Sequence, residues 1–154
     1  MKKTIIIILI SLLAILIYFI IGPKFDTELI MSPNGKTCLT RIDYWSLKNR
    51  RTVFTYGNYN SKKIPEIKLE PIYMAGPTDG FYLIMEWKND TAVFYSSSEE
   101  FNNNLPPKIV LKILNGQNEN DMKRWGEMKR DTTGRYIQFK QKWVPLFSKH
   151  QNRK

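Results

Sequence analysis

The chain reads as a mainly β protein: one N-terminal transmembrane helix followed by a single antiparallel β domain, a sandwich or a strongly curved sheet. Three observations predict this. "IIIILISLLAILIYFII", Ile5 to Ile21, holds seventeen residues without a charge. The remainder alternates short β-rich runs with Pro, Gly, Asn and Asp turns. One cysteine, Cys38, leaves no internal disulfide, so the domain must rest on its core. The expected units are 1–23 as signal-anchor, 24–148 as extracytoplasmic β domain and 149–154 as basic tail.

The apolar run comes first. As a helix it reaches ~26 Å, and Lys2, Lys3 and Lys24 can extend their ammonium groups outward to bridge the gap to a ~30 Å hydrocarbon core. It is apolar on all sides, unlike a surface helix with one wet face. Signal peptidase prefers small residues before its cut. Here Ile20, Ile21 and Pro23 flank the exit, so retention is expected over cleavage. Lys2 and Lys3 before the run place the N-terminus in the cytoplasm and the domain in the periplasm or outside the cell.

Strands follow. "FDTELIM" leads into the turn "SPNG", and "KTCLTRIDYW" continues with Cys38, Ile42 and Tyr44 on one side. This stretch resembles the "SPDGK"-type openings of bacterial propeller blades and small secreted domains, over fourteen residues. The resemblance implies a turn and a strand, brings no functional residue with it, and does not recur as a repeat. "RRTVFTY" is β-branched and aromatic. "IPEIKLEPIYM" alternates, with Ile67 and Leu69 on one face, and its prolines mark an edge strand.

The clearest hairpin joins "FYLIMEW" to "AVFYSS" through "KNDT", with Phe81, Leu83, Met85 and Trp87 on the apolar face. "KIVLKIL" presents Ile109, Leu111 and Ile113. "NENDMKRWGEMKRD" spaces Met122, Trp125 and Met128 by three, so a short helix near 120–129 competes with a loop. "RYIQFKQKW" sets Ile137, Phe139 and Trp143 against Tyr136, Gln138, Lys140 and Lys142, a strand with one basic face.

Chemistry is sparse. The single histidine, His150, lies in the basic tail, which positions nothing, and one His with one Cys is too few for a zinc site. Glu99 and Glu100 would point apart on an extended chain, Asp79, Asp90 and Asp131 sit beside turn residues, and "AGPTDG" lacks the P-loop lysine. No cofactor is expected. The formal charge is +10, and the chain after the anchor carries +8. Such a surface attracts an anionic polymer, lipid headgroups or an acidic protein. An extracytoplasmic location disfavours nucleic acid.

The candidate anion-contacting surface comprises Arg135, Tyr136, Lys140 and Lys142, with Arg50, Arg51, Lys62 and Lys63 elsewhere. The leading expectation is a membrane-anchored, non-catalytic binding or scaffolding domain. The alternatives are a cleaved, secreted β domain that binds a polyanionic surface component, and a hydrolase working through carboxylates alone.

Overall fold

A computed structural model describes residues 2–22, 24–46, 50–71, 82–97, 101 and 104–140. Helix α1, Lys2–Ile21, precedes strands β1 (Lys24–Met31), β2 (Cys38–Trp45), β3 (Arg50–Tyr56), β4 (Tyr82–Lys88), β5 (Thr91–Ser96) and β6 (Ile109–Ile113). Helix α2, Glu119–Arg130, and strand β7, Ile137–Lys140, follow.

The protein is mainly β, with two sheets among the described residues. One is an antiparallel meander, β1-β2-β3, and the other has the order β6-β5-β4-β7. Their inner faces share a core in which Ile30, Leu39 and Phe54 meet Leu83, Met85, Phe94 and Phe139. Phe54 sits with its ring centroid 4.9 Å from those of both Phe94 and Phe139, in the tilted geometry that aromatic quadrupoles favour. The opposite face of β4 and β5 is also covered. There Ile84, Val93 and Tyr95 pack against Trp125 and Met128 of α2, with Leu114 beside them. The layers therefore run sheet, sheet, helix.

Local chemistry explains these elements. Ser32 Oγ donates to Asn34 Oδ1 at 2.6 Å, and Asn34 Oδ1 accepts from Lys36 N, which closes the β1–β2 turn around Gly35 at φ 67°. The β4–β5 turn needs a left-handed residue and uses Asn89, φ 54°, a residue that tolerates this region. Helix α2 begins at Asn118, whose side chain accepts from Asn120 N and Asp121 N. Glu119 and Asp121 lie in its first turn and Lys129 and Arg130 in its last, all favourable to the helix dipole.

Four expectations change. The second sheet is mixed rather than antiparallel, because β5 and β6 run parallel. The twelve residues between Ser96 and Ile109 are long enough for a crossover. That connection meets the other sheet's side of the molecule: Phe101 bridges Pro71, and Lys68 N donates to Asn104 O. Second, "IPEIKLEP" forms no full strand. Leu69 alone bridges Phe54, and Ile67 is exposed while Leu69 is buried. Pro65 and Pro71 have no N–H to extend the ladder. The rest of that expected strand, 72–74, lies outside the described residues, as does Phe81.

Third, α2 does form as a helix, but Met122 stays exposed while Trp125 and Met128 are buried. Fourth, the N-terminal segment is a helix, yet among the described residues no helix is long and apolar enough to cross a membrane. The expectation of a span over Ile5 to Ile21 is met only in its coarser part, the helix itself.

Candidate functional site

The α2-covered face of the second sheet carries a buried carboxylate. Glu86, in the middle of β4, is 2% exposed. On β5, Tyr95 pairs with Ile84 and Val93 with Glu86, so Tyr95 is the diagonal neighbour of Glu86. Its hydroxyl donates to Glu86 Oε1 at 2.5 Å. Lys88 Nζ lies 3.2 Å from the same oxygen. The other oxygen, Oε2, accepts from both Nε and Nη2 of Arg135 at 3.1 Å, two donors converging on one charged acceptor.

Arg135 arrives there because Met85 pairs with Ile137, which brings the residues before β7 alongside Glu86. The loop is fixed by Asp131. Its Oδ1 accepts from the hydroxyl and N–H of Thr133, and its Oδ2 from Tyr136 N. Gly134 supplies the positive φ, 80°, that the bend requires. Arg135 also lies over the Tyr136 ring, 5.1 Å from its centroid.

Helix α2 closes the network from outside. Arg124 Nη2 donates to the Tyr95 oxygen at 3.1 Å, with its guanidinium carbon 5.0 Å from the ring centroid. Gln138 Nε2 donates to Lys129 O at 2.8 Å, taking up one of the carbonyls that the last turn of a helix leaves open. Beside Arg124 runs an open groove of about 550 Å³, lined by Asn120, Lys123, Glu127, Met128, Asp131 and Tyr136 among others.

Electrostatics set the protonation states. Burial pushes the Glu86 carboxyl up, but the hydrogen bonds from Tyr95, Lys88 and Arg135 outweigh it and hold the group below the usual carboxylate range. Burial, with the Glu86 charge beside it, pushes the Tyr95 phenol up to about 12. The hydrogen bond to Glu86 raises the Arg135 guanidinium above its ordinary value, and hydrogen bonds led by that of Thr133 lower Asp131. At neutral pH Glu86 is an ionised acceptor with all of its listeners in place, and Tyr95 is a phenol. Neither is poised to exchange a proton, so this geometry clamps α2 and the β7 loop to the sheet.

Of the residues expected to contact anions, Arg135 and Tyr136 come together beside α2. Lys140 stands in β7 opposite Tyr82, and Lys142 lies outside the described residues. The strand face of Tyr136 and Gln138 meets α2's C-terminal turn, with Tyr136 half-buried and Gln138 still exposed. Arg51 pairs with Glu70, while Lys62 and Lys63 are exposed. Cys38 is a half-buried free thiol. His150, Asp79, Glu99 and Glu100 lie outside the described residues. Among the described residues, no group of three or more His, Cys, Asp or Glu side chains could hold a metal ion.

Sequence reasoning missed Glu86 and Tyr95. The signal was present: "YLIMEW" and "AVFY" are apolar on both faces, which marks strands covered on both sides. A carboxylate inside such a run must find buried partners. A second buried pair was missed in β2. Arg41 Nε lies 2.9 Å from Asp43 Oδ2, Arg41 Nη2 donates to Asp43 Oδ1 at 3.1 Å, and the Thr52 hydroxyl donates to Asp43 at 2.5 Å. No known family, curated protein or solved structure matches the chain.

Proposed function

We propose that this chain is a membrane-anchored, non-catalytic binding domain, held by α1 with its N-terminus in the cytoplasm and its β domain outside. One observation carries the reading. Along α1, from Ile5 to Ile17, the large apolar side chains are between 46% and 64% exposed, on every side of the helix. Water-soluble monomers rarely leave an apolar patch larger than a few hundred Å² uncovered. A bilayer satisfies such a surface, and it satisfies the backbone as well, since helical N–H and C=O groups are paired internally.

The partner best supported is anionic. The groove beside α2 is lined by Lys123 and Arg124 together with Glu127 and Asp131, and the 63%-exposed Arg135 side chain, which precedes the lining residue Tyr136, tips the local balance toward positive. Lys140 and Lys142 extend the basic composition along the chain. Arg124 and Arg135 are both anchored by Tyr95 and Glu86, so their planes are preorganised for an anionic group.

The test uses the full chain in zwitterionic nanodiscs. Carbonate washing of source membranes should leave the chain in the pellet with its apolar run intact. A soluble form starting after Ile15 would overturn the anchor. Labelled dextran sulfate should bind the nanodisc-held chain, neutral dextran should not, and Lys123→Glu with Lys140→Glu and Lys142→Glu should abolish the difference. Equal binding by the triple variant at low salt would overturn the anionic partner.

A further inference from the structure

We infer that the first rungs of the β1-β2-β3 sheet form a headgroup-contacting foot that rests on anionic phospholipid in the leaflet from which α1 emerges. The inference rests on the anchor reading above and adds a second, distinct contact with the membrane.

The chain itself imposes the placement. Helix α1 ends at Ile21 and β1 begins at Lys24. Three peptide links at ~3.8 Å each allow at most ~11 Å between those two Cα atoms, whatever path Gly22 and Pro23 take. The headgroup layer is ~5–8 Å thick on each side of the hydrocarbon core. With the end of α1 at the hydrocarbon boundary, Lys24 lies in that layer or just beyond it. In the ladder Lys24 pairs with Trp45 and Trp45 with Arg50, so a sheet whose strands rise from the membrane brings two more strands to the same level. The next rung is Phe25, Tyr44 and Arg51.

The residues on these two rungs have the composition that interfaces select. Trp and Tyr concentrate at headgroup level, where a ring meets apolar matter and its polar tip meets water. Trp45, Tyr44 and Phe25 are each only half-buried, and the rings of Phe25 and Tyr44 are in contact, 4.9 Å apart and tilted by 49°. Lys24 and Arg50 supply positive charge on the first rung, which an anionic surface attracts.

Asp26, one rung beyond Phe25, offsets part of this charge, while Asp43 opposite it is held by Arg41 and Thr52. Glu70 is taken up by Arg51 and Lys68. The exposed Leu29 and Met31 lie at the far end of β1, ~15–25 Å further along at ~3.4 Å per residue, so they are not part of this foot.

The test compares the parent with Trp45→Phe as full chains in vesicles of phosphatidylcholine, with or without phosphatidylglycerol, carrying bromine near the headgroup. Flotation is scored first. A chain that does not float with vesicles after carbonate treatment overturns both the anchor and the foot. In a chain that floats, the bromolipids should quench part of the parent's tryptophan emission, more so with phosphatidylglycerol. Trp45→Phe should lose that quenched part. Lys24→Glu with Arg50→Glu should reduce quenching in the anionic vesicles to the level of the neutral ones. If a floating chain is quenched equally with and without Trp45, or if charge reversal leaves the anionic excess intact, the foot is overturned while the anchor stands.

Discussion

Tyr95 Oη donates a 2.5 Å hydrogen bond to Glu86 Oε1 beneath α2, and both residues are shut off from solvent. Their titrations open two pH windows. Glu86 has a depressed folded pKa, so its stabilisation is present above the unfolded carboxylate value and is lost as pH falls through the folded one. Tyr95 has a raised folded pKa, so the phenol stabilises fully below ~10 and the contribution disappears as pH rises toward about 12.

The chain should therefore lose stability at both extremes. The alkaline limb should fall between pH ~10 and ~12, by on the order of 2 kcal/mol. Tyr95→Phe should remove that limb and cost ~1–3 kcal/mol at neutral pH, because Glu86 keeps its charge but loses a donor. Denaturant midpoints across pH measure both effects. An unchanged alkaline limb in Tyr95→Phe would assign it to another group.

Of the three apolar side chains spaced along α2, two, Trp125 and Met128, pack against the sheet beside the Arg124 contact. Trp125→Ala should cost ~3–5 kcal/mol, since it empties a site enclosed by the sheet and the helix. Met122→Ala, on the exposed side of the same helix, should change the midpoint by less than ~0.5 kcal/mol. Comparable losses from the two would mean that Met122 faces a partner or the core.

The contrast between Met122 and Trp125 shows how far the sequence could be read. A spacing of three names a helix face but not its centre, and the face turns on which strand lies beneath it. Strand positions read from alternation, such as Leu83, Met85 and Phe139, fell in the core because a strand has only two faces. The helix, the hairpin turn at Asn89 and the sheet order β1-β2-β3 follow from local signals. The parallel pairing of β5 with β6 does not, since it depends on where a twelve-residue connection crosses. That Glu86 must be paired was legible in "YLIMEW", but its partner was not: Arg135 lies forty-nine residues away, and only the β4–β7 register brings them together.

Arg41 and Asp43 provide the last prediction. Both point to the inner side of β2 and are almost wholly buried, at 3% and 4% exposed, with the Arg41 guanidinium 5.7 Å from the Phe139 ring centroid. Two charges taken out of water cost several kcal/mol each, and their mutual attraction offsets that only while both remain. Asp43→Ala should thus destabilise by ~3–5 kcal/mol, because it removes the close acceptor of the buried guanidinium, leaving the exposed Glu28 carboxylate at 4.0 Å, and takes away the acceptor of the Thr52 hydroxyl. Replacing both partners with apolar side chains of similar volume, Arg41→Met with Asp43→Leu, should recover most of that loss. Thermal and denaturant unfolding of the single and double variants gives the comparison. If the double variant were as unstable as Asp43→Ala, the ion pair would be fixing the register of β2 against β1 and β3, and its value would be specificity of the fold rather than charge compensation.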